Sequence, residues 1–111
     1  ILEILDRIDD IHKRYPSLTV AIVGHIADCN NHVNVMYDKG EQQKALAEKM
    51  IEEILRNTVE VGGTISGEHG IGNVKSAFLP LEIPPGELTI MKDIKPLLDP
   101  KGILNPGKMF R

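Results

Sequence analysis

Three of the four histidines in this 111-residue chain stand in polar breaks between apolar runs, where side chains are available for chemistry. His25 and His32 lie in the segment GHIADCNNHVN. On one continuous strand a separation of seven residues would put them on opposite faces. Folded as a hairpin, with His25 ending one strand and His32 beginning the next, they become cross-strand neighbours close enough to share a metal ion. Asn34, two residues beyond His32, points to the same side of the sheet. Its amide can donate to and accept from a substrate hydroxyl or carboxylate beside a metal. Glu68 and His69 fall inside GGTISGEHGIG, which has five glycines in eleven residues. Such a loop permits positive φ and close approach of backbone to a ligand. Adjacent side chains diverge, so one of this pair can reach a metal while the other faces a reacting group. Two imidazoles and one carboxylate leave an open coordination position, as a catalytic divalent site requires. Zinc is the commonest occupant, and manganese, cobalt and iron accept the same ligands.

Plainer readings stand beside these. Histidines at hairpin ends also serve as solvated or hydrogen-bonded side chains, and Glu68 and His69 as surface groups. Cys29 is either a further ligand, through the spacing His25-x3-Cys29-x2-His32, or a partly exposed turn thiol. His12, beside Lys13 and Arg14, reads as solvated surface, and Lys75 as surface charge. The glycine-rich loop matches neither a Walker nor a dinucleotide fingerprint.

The elements that must position these residues follow from periodicity. Ile1, Ile4, Leu5, Ile8 and Ile11 recur at helical spacing and predict an amphipathic helix over residues 1–14, ended by Tyr15-Pro16. The β-branched run 18–23 predicts a buried strand, 24–31 a turn-rich connection, and the alternating run 32–37 a second strand with one buried face. Asp38 followed by Glu41 resembles a capping box ahead of a long helix over 41–60. Its apolar stripe is Leu46/Ala47, Met50/Ile51, Ile54/Leu55 and Thr58, and Gly62-Gly63 ends it. Residues 73–79 read as a short helix or turn. Pro84-Pro85 starts a last helix, in which Pro96 predicts a kink or an early stop. Residues 99–102 form a turn and 103–111 a loop-like tail. The fold class is α+β, a β-hairpin packed with helices, with too few strands to close a sheet alone.

Composition excludes several functions. Aromatics are 4%, with no Trp, and the formal net charge is −3 with no basic run. That is a poor footprint for base stacking or phosphate binding, so no nucleic-acid partner is expected. A single Cys excludes an internal disulfide framework. No apolar run approaches the ~20 residues of a membrane span and no signal peptide is visible, so a cytoplasmic domain is expected. The chain opens at Ile1 already inside a helical pattern with no preceding cap, which reads as a piece of a longer polypeptide.

In order and spacing, GHIADCNNHVN, GGTISGEHGIG and MKDIKPLLDPKGILNPGKMF resemble the C-terminal part of FAD-linked oxidases. That family includes D-lactate dehydrogenases, the flavin subunit of glycolate oxidase and D-2-hydroxyglutarate dehydrogenases. The resemblance covers nearly the whole chain. It implies the C-terminal part of the substrate (cap) domain, with His25, His32 and Glu68 as divalent-metal ligands. It further implies His69 as general base on the substrate hydroxyl, Asn34 as a substrate contact, and a small 2-hydroxy acid as substrate. Hydride would pass from the carbinol carbon to flavin N5, with zinc the first expectation for the metal. FAD would be held mainly by an N-terminal flavin domain that is not among these residues. The pattern Gly-His-x-Gly-Asp-Gly-Asn-Leu-His is altered here, with Ala27, Cys29 and Asn31 in place of Gly, Gly and Leu, which bears on the tightness of the turn. The rival readings are a non-catalytic metal-binding or interaction module and a small metal hydrolase in which Glu68 or His69 activates water. As a piece, the chain is expected to self-associate, most simply as a dimer, and alone to bind no FAD and oxidise no hydroxy acid.

Overall fold

A computed structural model describes residues 1–110, so the last residue of the predicted tail lies outside the described residues. The chain forms two compact units, Ile1–Glu68 and His69–Arg111, each taken here by itself.

The first unit is the predicted α+β hairpin with helices. α1 spans Leu2–Lys13, β1 Thr19–His25, β2 Asn30–Met36 and α2 Glu41–Glu60. The apolar stripes of both helices meet in one core of Ile8, Ile11, Leu18, Ala47, Met50 and Ile54. Val20, Val33 and Val35 pack against it from the hairpin, as period-2 alternation requires of one sheet face. α2 ends as its two glycines predict: Gly62 N–H donates to Val59 O at 2.9 Å and Gly63 N–H to Thr58 O at 2.8 Å, the paired bonds of a Schellman motif. Its start differs from the expected capping box. Gly40 is the N-cap without a side-chain bond, and Gln43 Oε1, rather than Glu41, accepts from Asp38 N–H at 2.7 Å. His12 also departs from the surface reading. It is half-buried, and its Nε2–H donates to Leu18 O at 2.9 Å, tying the end of α1 to the entry of β1 across the Pro16 turn.

Both strands run further into the polar segment than the sequence predicts, and the connection shrinks to four residues. β1 and β2 are antiparallel, with His25 opposite Asn30, Val23 opposite His32 and Ala21 opposite Asn34. A 3₁₀ turn, Ile26–Asp28, makes the reversal, closed by Cys29 at φ 56° and ψ 25°. This is a left-handed position, where the related pattern carries glycine. For an L-residue that conformation costs roughly 1–2 kcal/mol, partly offset because glycine loses more chain entropy on folding. Cys29→Gly is therefore expected to raise stability by about 0.5–1 kcal/mol in urea unfolding, and a loss of stability would refute the strain. Gly24, by contrast, is indispensable to the hairpin. Its φ is +153°, and a Cβ there would lie 2.3 Å from the backbone carbonyl oxygen of Asn30.

The second unit contains a 3₁₀ turn, Ser76–Phe78, running into the short α3, Leu79–Glu82, and then α4, Pro85–Leu98. Pro96 sits in the last turn of α4, and the helix ends two residues later. This is the early stop expected of a residue that offers no N–H. Past it, the buried Asp99 organises the 99–104 turn. Its carboxylate accepts from Lys95 Nζ, from Ile103 N–H at 3.1 Å and from Leu104 N–H at 2.9 Å. The Lys95 hydrogen bond, then the Leu104 and Ile103 amides, hold this carboxyl below its ordinary range against the opposing effect of burial. A depressed pKa means the ionised form favours the folded turn. Its contribution is therefore full above the ordinary carboxylate pKa of ~3.9 and disappears as pH falls through the lower folded value. Amide exchange at Ile103 and Leu104 should accelerate across that acid window in the natural chain and show no such dependence in Asp99→Asn.

Candidate functional site

The register sorts the hairpin residues onto two faces. The pairs Val20–Val35 and Ile22–Val33 share the face that meets the helices. The pairs His25–Asn30, Val23–His32, Ala21–Asn34 and Thr19–Met36 share the other. The second face is open: Val23 is 57% and Met36 47% exposed although both are apolar. His25, His32 and Asn34 thus stand on one open face, as the alternation argument predicts. Their expected direct pairing is corrected. His25 faces Asn30, and His32 faces Val23, so the two histidines are diagonal neighbours, a relation of about 7–8 Å between α-carbons. The two-residue offset arises because the reversal takes four residues, 26–29, where setting His25 opposite His32 would take six, 26–31.

The chain returns to this face after α2. Gly67 lies against Asn30, for a Cβ on Gly67 would fall 2.5 Å from Asn30 Oδ1. The next residue, Glu68, brings Oε1 to 3.1 Å from His32 Nε2. Both side chains are partly exposed, 31% for His32 and 44% for Glu68, so a small ligand can reach them. Two donor atoms on one ion, each ~2.0–2.2 Å from it, lie about 3.0–3.5 Å apart. The His32–Glu68 pair meets that spacing, and imidazole nitrogen with carboxylate oxygen is a donor set that zinc, manganese and iron accept. His25 is exposed and, among the described residues, is not part of the close set of possible ligand atoms that contains this pair. His69 is peptide-bonded to Glu68, is exposed, and opens the second unit. Asn34 is exposed on the open face beyond His32. Cys29 is an exposed free thiol in the turn.

The residue that sequence reasoning missed is Asn30. Its signal was available in the alternation, because Asn30 is two residues before His32 and so shares its face.

With this arrangement in view, the family described as FAD linked oxidases, C-terminal domain, matches residues 1–109. The chain belongs to this family. Glycolate oxidase subunit GlcD of Escherichia coli (strain K12) is 41% identical over 106 residues, covering 95% of this chain and 21% of that protein. D-2-hydroxyglutarate dehydrogenase of Xanthomonas citri pv. viticola is 37% identical over 103 residues, 90% of this chain and 22% of that protein. The mitochondrial D-lactate dehydrogenase [cytochrome] of Kluyveromyces lactis is 36% identical over 94 residues, 85% of this chain and 16% of that protein. This FAD-linked oxidase C-terminal domain thus spans less than a quarter of the length of these relatives. Among its described residues, no helix is long and apolar enough to cross a membrane.

The second unit carries a cleft of about 320 Å³ lined by Ser76, Leu79, Leu88, Lys92, Met109 and Phe110. That is the bottom of the ~300–1,000 Å³ range of small-molecule pockets.

Proposed function

We propose that this domain supplies the divalent-metal site and the catalytic base of an FAD-dependent enzyme that oxidises a small 2-hydroxy acid. The observation that carries the reading is the 3.1 Å approach of His32 Nε2 to Glu68 Oε1 on the open face of the hairpin. An FAD held mainly by the remainder of the parent polypeptide would take the carbinol hydride, a reading that membership of an FAD-linked family supports. His32 and Glu68 would hold the ion, with His25 as a third ligand. When bound, the ion would supply Lewis acidity that lowers the pKa of the substrate hydroxyl.

The chain's own residues do the rest. His69, carried by the same loop as Glu68, accepts the hydroxyl proton on a ring nitrogen as the C–H bond breaks. Asn34, two residues beyond His32 on the same face, offers its amide N–H to a substrate oxygen and fixes orientation. The oxygen-binding amide is carried by β2 and the base by the glycine-rich loop. The exposure of all these side chains in this chain suits a site completed by further residues of the parent.

The test uses the full-length protein. Elemental analysis should find one divalent ion per flavin. Anaerobic addition of D-lactate, glycolate or D-2-hydroxyglutarate should bleach the flavin with at least one of them. A metal-free protein whose flavin all three acids reduce would contradict the reading.

A further inference from the structure

Asn30 is gripped by two glycines. Its backbone carbonyl oxygen occupies the space a Cβ on Gly24 would need, at 2.3 Å, and its side-chain Oδ1 the space a Cβ on Gly67 would need, at 2.5 Å. The first contact lies within the hairpin, and the second joins the hairpin to the segment that ends α2's return. Gly67 is the residue immediately before Glu68, whose carboxylate approaches His32. Asn30 pairs with His25 across the strands and is two residues from His32, so its amide sits on the open face between the two histidines and the loop.

We infer that Asn30 is the positioning residue of the His32–Glu68 pair. Its carboxamide, packed on Gly67, sets where the backbone before Glu68 crosses the hairpin and hence where the carboxylate lands. A side chain one methylene longer would push the loop away. Alanine would leave the loop without its support. The inference rests on the reading of His32 and Glu68 as a ligand pair, since only a site with fixed donor spacing needs such a support. Residues that orient metal ligands in this way are typically worth 10–100-fold in metal affinity.

The experiment compares the full-length natural protein with Asn30→Ala, Gly67→Ala and the double variant, using Zn²⁺ competition against a chelator, the Co²⁺ visible spectrum, the unfolding midpoint and amide exchange at Gly67 and Glu68. Asn30→Ala is expected to weaken Zn²⁺ binding about 10–100-fold, alter the Co²⁺ spectrum and speed exchange at both amides, with an unchanged unfolding midpoint. Gly67→Ala displaces the same amide from the other side, so the double variant should lose less than the sum of the two single losses. Should Asn30→Ala fail to fold, Gly67→Ala alone must show the same weakened Zn²⁺ binding and altered Co²⁺ spectrum. Unchanged Zn²⁺ affinity and Co²⁺ spectrum, unchanged exchange, or strictly additive losses would each overturn the inference. Failure of the underlying reading is distinct: natural protein and His32→Ala would then bind Zn²⁺ alike. In that event the exchange rates at Gly67 and Glu68 still decide for or against the positioning role.

Discussion

His69→Asn in the full-length protein is expected to retain metal and flavin and yet reduce its flavin about 10²–10⁴-fold more slowly on addition of the 2-hydroxy acid. Asparagine is close in size to imidazole's near half and keeps a polar tip, but it takes no proton at neutral pH. The loss is therefore one of general-base catalysis and should appear in single-turnover reduction, not in substrate affinity alone. It should also shrink at high pH, where the substrate hydroxyl needs less help. Stopped-flow reduction at the natural rate would remove His69 from the chemistry.

His32→Ala is the second large effect. It takes away one member of the 3.1 Å pair and leaves Glu68 exposed on the open face without the imidazole opposite it. Metal content is expected to fall to background. Turnover should fall with it by roughly 10²–10³-fold, the rate equivalent of losing about 3–4 kcal/mol of Lewis-acid stabilisation. His25→Ala gives the informative contrast. His25 stands diagonally from His32, opposite Asn30, and outside the close set of possible ligand atoms among the described residues, so its removal is expected to weaken the ion's binding less. Equal and complete metal loss in both variants would mean that the strand end re-orients on loading. Full metal retention in His32→Ala would dismiss the pair as a site.

Alternation and helical periodicity were enough to read the hairpin, the two core-forming helices and the open face that holds His25, His32 and Asn34. Those signals depend on which face is buried, and burial of Val20, Val33 and Val35 fixes that strongly. The register was harder. It turns on whether the reversal takes four residues, 26–29, or the six, 26–31, that would set His25 opposite His32, and that depends on Cys29 accepting a left-handed conformation, which residue type alone argues against. The cap of α2 was misassigned for a similar local reason: Gln43 reaches back to Asp38 N–H, although glutamate at 41 has the customary spacing. His12 looked like surface because its sequence neighbours are charged. Its bond to Leu18 O depends on a turn that brings β1's entry back beneath the helix end. Asn30's place on the open face was legible from alternation, but its contact with Gly67, 37 positions away in sequence, is one that no local pattern encodes.

The most direct measurement is a zinc-edge anomalous difference map from crystals of the full-length protein grown with Zn²⁺. The expected result is a peak bonded at about 2.0–2.2 Å to His32 Nε2 and Glu68 Oε1, with His69 facing the substrate side and not coordinated. A peak held by other residues, or none while His32 and Glu68 remain in direct contact, would contradict the metal site and with it the proposed reaction.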